Sequence, residues 1–249
     1  MPKSQDNRPS GHGREGSRRK PAKGVMHVKT LKFYGHACFG LGDETVALLF
    51  DPFLTDNPFN VAKPDEVAAD YILVSHGHFD HIGDTVAIAK RCGATVISTA
   101  EVCHKVSEDG CQAAPMHIGG KIAFPFGYVR VTLAFHGSGI PGGHACGFVV
   151  DFKGTVVYFA GDTGLFGDME LLGKLEKIDY ALLPIGNNFT MGVEDAALAA
   201  GMLKAKKIIP MHYDTWPPIK QDPEKFKALV ERNAAGKVLV MKPGSTIEL

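Results

Sequence analysis

The sequence lacks any apolar run that approaches a membrane span, and its first residues lack the apolar stretch of a secretory leader. A spanning helix and export are therefore not expected, and a cytoplasmic location is. Cysteine is scarce. Cys38, Cys92, Cys103, Cys111 and Cys146 are an odd, scattered set with no C-x-x-C pair. That argues against a disulfide framework and against a closed structural zinc site, which favours paired Cys ligands. Buried, reduced thiols are the expectation. Net charge is also lacking, at +0 over 249 residues. The balance hides an asymmetry. Residues 1–24 carry Lys3, Arg8, Arg14, Arg18, Arg19, Lys20 and Lys23 against Asp6 and Glu15, a net +5, which leaves −5 for the rest. This tail has almost no large apolar residue and reads as a disordered basic extension, with residues 25–249 as the folded domain. The strand pattern begins just after Met26, which makes Met26 a candidate initiator. An acidic folded part has no basic groove to offer, so nucleic acid is not an expected partner. A small-molecule substrate is, and self-association is left open.

With 45% hydrophobic residues, the chain can bury one sizeable core. Short, turn-bounded strand patterns open it at 28–34, 37–41 and 45–50. A helix start at 64–66 and an apolar strand at 71–74 follow. The spacing then predicts a helix over 84–91, a strand over 94–98 and a helix over 100–106. Residues 128–136 alternate cleanly, as a half-buried strand should, with His136 as the last residue. Runs 147–152 and 155–160 flank Lys153-Gly154, a tight hairpin turn. Helices are expected at 165–175, 193–204 and 223–234, and strands at 178–184, 206–211, 237–241 and 245–248. Strands come in two batches, each followed by strand–helix alternation. That predicts two packed sheets with helices outside, built from two similar halves.

The informative stretch is Val74-Ser75-His76-Gly77-His78-Phe79-Asp80-His81-Ile82-Gly83-Asp84. Three imidazoles and a carboxylate within six residues suit a borderline divalent metal such as zinc, manganese or iron. His76 and His78, two apart, point the same way if the segment is extended. Asp80 and His81 follow at a turn. One metal could take the first pair and a second metal the other. Partners are expected at strand tips: His136, Asp162 in Gly161-Asp162-Thr163, and His212 after an apolar strand. The plainer roles are a helix N-cap for Asp162 and packing or capping for His212.

The run His76-Gly77-His78-Phe79-Asp80-His81, the Gly-Asp-Thr at 161–163 and the lone His212 resemble the metallo-β-lactamase superfamily. Tyr34-Gly35-His36, Asp51-Pro52-Phe53, Phe135-His136-Gly137-Ser138-Gly139, Gly161-Asp162-Thr163-Gly164-Leu165-Phe166 and Pro184-Ile185-Gly186-Asn187-Asn188-Phe189-Thr190-Met191-Gly192 are more specific. They are similar to an uncharacterised family of small metal-dependent hydrolases near the L-ascorbate-6-phosphate lactonases and the N-acyl-phosphatidylethanolamine phospholipases. The resemblance covers about residues 25 to 249. It implies an α+β fold, a four-layer αββα sandwich of two mixed sheets, and a two-metal hydrolytic site. Many members of the superfamily carry the third histidine in a Pro-Gly-His turn, which Pro141-Gly142-Gly143-His144 mimics. The nearer family matches at Phe135-His136, so the resemblance selects His136 as the ligand and leaves His144 to line the pocket.

The resulting expectation is a hydrolase with two divalent ions, zinc first and manganese or iron as alternatives. His76, His78 and His136 would hold one; Asp80, His81 and His212 the other; Asp162 would bridge. A hydroxide shared by the metals would attack an ester, lactone, amide or phosphodiester, with Asp80 orienting it or shuttling its proton. Asp51 and His36 are expected to support the ligands from behind. Asn188 and Thr190, with His144, are expected substrate contacts. The rivals are a di-iron redox enzyme, a nuclease and a metal-holding scaffold or sensor without catalysis. Relatives of the first carry a carboxylate where this chain has His78.

Overall fold

In the computed structural model, residues 27–233 and 235–249 are described. The expected basic tail, 1–24, lies outside them. The first half runs β1 (Thr30–Gly35), β2 (Cys38–Gly42), β3 (Ala47–Phe50), β4 (Tyr71–Leu73), α1 (Phe79–Ile82), α2 (Thr85–Cys92), β5 (Thr95–Thr99), α3 (Ala100–Glu108) and β6 (Gln112–Met116). The second runs β7 (Lys121–Phe124), β8 (Gly127–Leu133), β9 (Cys146–Phe152), β10 (Thr155–Phe159), α4 (Asp168–Leu175), β11 (Tyr180–Pro184), α5 (Val193–Leu203), β12 (Lys207–Met211), α6 (Pro223–Arg232), β13 (Lys237–Val238) and β14 (Thr246–Glu248). Short 3₁₀ turns occupy Pro64–Glu66 and Pro217–Ile219.

Two seven-stranded sheets result, in the orders β14-β1-β2-β3-β4-β5-β6 and β13-β12-β11-β10-β9-β8-β7. Each is antiparallel through its early strands and turns parallel from β3–β4 and from β10–β11 onward. The expected two halves are therefore present, with one exchange: C-terminal β14 pairs with β1 of the first sheet. Alternation sets which face is buried. In β1, Leu31 and Phe33 point inward while Lys32 and Tyr34 stay half-exposed. Central β11 is buried at every position, as a strand covered on both faces must be. Phe50 of β3 stacks on Phe159 of β10 at 5.0 Å, joining the two sheets through fully buried rings. Burying each such ring contributes about 1.5–3 kcal/mol. A second core lies under α2 and α3, from Ile72, Val96, Ile88, Val102 and Val106. The architecture is the four-layer αββα sandwich. Among the described residues, no helix is long and apolar enough to cross a membrane.

Several boundaries differ from the sequence pattern. The β9–β10 hairpin turns at Lys153-Gly154, both with positive φ, as the sequence predicts. Strand β8 stops at Leu133, so His136 stands in the loop beyond it, and Phe135 is 61% exposed rather than packed. Strands β6 and β7 are not apparent from the pattern: β6 contains Pro115, and β7 is a half-exposed edge strand.

Candidate metal centre

Six residues or short loops at strand ends converge on one edge of the sandwich. His36 follows β1, Asp51 follows β3, His76 and His78 follow β4, and Asp80 and His81 lie in α1. From the second sheet come His136 after β8, Asp162 after β10 and His212 after β12. The two sheets meet here directly, because the His212 backbone N–H donates to the His36 carbonyl at 2.7 Å. His36, Asp51 and His212 all hold positive φ, at 58°, 38° and 54°. Left-handed backbone at non-glycine residues is costly and gathers at functional sites. Close approach of the 137–143 loop depends on Gly139, at φ +67°, where a Cβ would lie 2.6 Å from the His78 nitrogen. The Gly77 N–H donates to the Ser138 carbonyl at 2.7 Å, tying that loop to the His76–His81 run.

The hydrogen bonds behind the cluster fix which nitrogens face inward. Asp51 is fully buried and can only accept. It takes the His81 Nδ1–H at 2.6 Å, the Ser75 hydroxyl at 2.6 Å and the Ser75 backbone N–H at 2.7 Å. With its proton given to Asp51, Ser75 Oγ accepts from His76 Nδ1–H at 2.9 Å. One carboxylate thus orients two imidazoles so that their Nε2 atoms are aimed into the cluster. His36 behaves differently. Its Nε2–H donates to Asp80 Oδ2 at 3.1 Å, and its Nδ1 accepts from the Thr215 hydroxyl at 2.7 Å. That ring has no lone pair left to offer an ion; it holds Asp80 in place.

The inward atoms form two groups that share a carboxylate. His76 Nε2 and His136 Nε2 lie 2.9 and 3.2 Å from His78 Nδ1. His81 Nε2 and His212 Nε2 lie 3.7 and 3.8 Å from Asp80 Oδ2. Asp162 Oδ2 sits between the groups, 3.0 Å from His212, 3.3 Å from His81 and 3.6 Å from His136. The contacts to His81 and His212 are short but badly aligned, so His81 Nε2 and His212 Nε2 remain buried without a hydrogen-bond partner, as do Asp162 Oδ1 and His212 Nδ1. Each such atom costs about 1–3 kcal/mol, so several at one point call for a missing partner. Divalent ions fit this donor set: imidazoles beside carboxylates, every atom within metal reach of the others in its group.

The charges agree with that fit. Burial, with His81 nearby, pushes the His76 imidazole down to about 2, and burial lowers His136 as well, so both rings keep free lone pairs. Burial, reinforced by His212, pushes His36 down to about 3. Burial also opposes charge on His81 and His212, but the carboxylates outweigh it. Asp162 and Asp51 hold His81 well above its usual range, and Asp162 pushes His212 up to about 9. Conversely, His212 and His81 hold Asp162, and His212 and His36 hold Asp80, well below the carboxylate range despite burial. Without metal, protons on His81 and His212 stand where a cation would balance Asp80 and Asp162.

All seven expected ligands are brought together: His76, His78, Asp80, His81, His136, Asp162 and His212. His144 is not among them; it is exposed and lies beside His117, with ring centres 6.0 Å apart. Nor do Asn188 and Thr190 line the cavity over the cluster. The lining residue there is Phe189, between them, with Phe79, Trp216 and Pro218. The sequence reading passed over these aromatic residues and over Ser75 and Thr215. The signals were present: Phe79 interrupts a polar ligand run, and Trp216 is the single tryptophan.

An αββα sandwich carrying a His/Asp cluster at its strand ends defines a metal-dependent hydrolase of the metallo-β-lactamase fold. The chain belongs to that superfamily: the family model described as "Beta-lactamase superfamily domain" matches residues 47–213. A protein of Natranaerobius thermophilus named UPF0173 metal-dependent hydrolase is 50% identical over 219 residues, covering 88% of this chain and 99% of its own. A namesake from Pelotomaculum thermopropionicum is 49% identical over 227 residues, with 88% and 99% covered. Among solved structures, Igni18, described as a novel metallo hydrolase from the archaeon Ignicoccus hospitalis, superposes with a TM-score of 0.83 at 36% identity. That match covers 89% of this chain and 98% of Igni18.

Proposed function

We propose that this hydrolase works with two divalent ions, zinc first among the candidates, on an ester, lactone, amide or phosphodiester bond of a small substrate in the cytoplasm. The observation that carries the reading is Asp162 Oδ2, which stands within 3.6 Å of His136 on one side and of His81 and His212 on the other. A carboxylate so placed suits a bridge. His76, His78 and His136 would hold one ion, and Asp80, His81 and His212 the other. When bound, such ions supply hydroxide at neutral pH, by lowering the pKa of water to about 7, and polarise the oxygen under attack.

The chain's own part is positional and protonic. Asp51 locks His81 directly and His76 through Ser75. His36 pins Asp80 Oδ2. Asp80 borders the cavity, so it can orient the attacking oxygen and carry a proton away from it. Phe79 and Trp216 line one side of the cavity with apolar surface. Residues 25–249 are the catalytic domain in this reading, with 1–24 an accessory tail. A panel of esters, lactones, amides and phosphodiesters, run with metal-loaded and chelator-stripped protein, tests it. Hydrolysis restored by metal is expected. Stoichiometric metal binding without turnover on any member would favour a scaffold or sensor instead.

A further inference from the structure

Phe79, Phe189 and Trp216 face the cluster across a cavity of about 420 Å³, a volume suited to a small ligand. Phe79 stands between His78 and Asp80, yet 68% of its surface is exposed, and Phe189 is 56% exposed. Large apolar side chains left open beside a site mark a surface that something apolar covers. Their order is set from behind. Phe79 meets Phe53 and Trp216, each at 5.9 Å, and Trp216 packs on the buried His36 ring at 5.0 Å. The wall therefore rests in part on His36, the residue that bonds Asp80. Among the described residues, no Lys or Arg lines this cavity, and the only acidic groups that do, Asp80 and Asp162, belong to the metal cluster. An anionic group remote from the cluster would lose water against aromatic faces and gain no cation. An uncharged ring would find stacking partners.

We propose that the cavity holds the non-reacting end of the substrate, that this end is an uncharged aromatic or flat apolar group, and that Phe79, Phe189 and Trp216 select it. The identity of the cleaved bond rests on the hydrolase reading above; the selection by the wall does not. Trp216 is the single tryptophan of the chain, so intrinsic fluorescence reports on the cavity itself.

The test titrates phenylacetamide, 4-carboxyphenylacetamide and acetamide into the full-length, metal-loaded protein. Phenylacetamide should shift Trp216 emission saturably and bind about tenfold tighter than either comparison compound, the usual scale for filling an apolar pocket. Phe189→Ala should weaken it by a similar factor with metal content unchanged. In parallel, kcat/KM is measured on the 4-nitrophenyl esters of the same three acyl groups, and the phenylacetyl-to-acetyl ratio should fall about tenfold in Phe189→Ala and Phe79→Ala. Saturable emission changes without ester hydrolysis would uphold the selection and count against the hydrolytic reading. Hydrolysis without phenylacetyl preference, together with a silent Trp216, would overturn the selection and leave hydrolysis standing. Tighter binding of the carboxylated ring would overturn it too.

Discussion

His136 and His144 separate most sharply at the level of single residues. His136 Nε2 is 3.2 Å from His78 Nδ1, whereas His144 is exposed beside His117. His136→Ala is expected to lose metal from the His76/His78 group and cut hydrolysis by at least about a hundredfold, as loss of a ligand should. His144→Ala should retain metal content within error. Elemental analysis of the two variants decides, and the reverse pattern would move the ligand to the turn. Much of this site was legible because ligand chemistry is carried by few residue types, and the His76–His81 run concentrates them. What was not legible is who stands behind whom. Ser75 relays Asp51 to His76, and Thr215 holds His36, through contacts 24 and 179 residues apart in sequence. No spacing rule connects such pairs. Likewise Asn188 and Thr190 looked suited to substrate by chemistry, but the turn begun by Asn187, at φ 66°, leaves Phe189 as the lining residue.

Among the elements, strand ends and the turns beyond them do the positioning. Central strands such as β4, β11 and β12 were plain from apolar runs, since both their faces are buried. Of the four edge strands, β13 and β14 were read but β6 and β7 were not: Pro115 breaks the pattern of β6, and β7 exposes Ile122. Strand β8 kept an alternating sequence past its real end at Leu133, because alternation records side-chain polarity and not ladder hydrogen bonds. Loop 137–143 then depends on Gly139, whose left-handed backbone touches the run that bears His78. Gly139→Ala adds a Cβ 2.6 Å from the His78 nitrogen at φ +67°. A cost of about 2 kcal/mol or more follows from the backbone strain and the contact with main-chain atoms that cannot swing aside. A lowered thermal midpoint together with weaker metal binding is expected. A variant with both unchanged would show that the loop is free to move off the run.

For the whole molecule, the cluster couples folding to protons when metal is removed. His76 and His36, pushed down to about 2 and about 3, are neutral when folded but take up protons when unfolded below their ordinary 6.5. Their contribution to stability is present above pH 6.5 and lost as pH falls toward 3. His212 has the opposite sign. Raised from 6.5 to about 9, it stabilises fully below pH 6.5, and that stability is lost as pH rises toward 9. Denaturant unfolding of chelator-stripped protein should therefore show greatest stability near pH 6.5. A curve flat from pH 4 to 9 would contradict the charge arrangement described here. The central claim is that the two sheets meet to hold two ions joined by Asp162. Metal analysis of reconstituted, full-length protein, beside the Asp162→Asn variant, tests it most directly. The account predicts close to two metals per chain in the wild type, with hydrolysis rising to its plateau as the second ion binds, and a clear loss of metal in the variant. Saturation at one metal per chain, unchanged by Asp162→Asn, would contradict it.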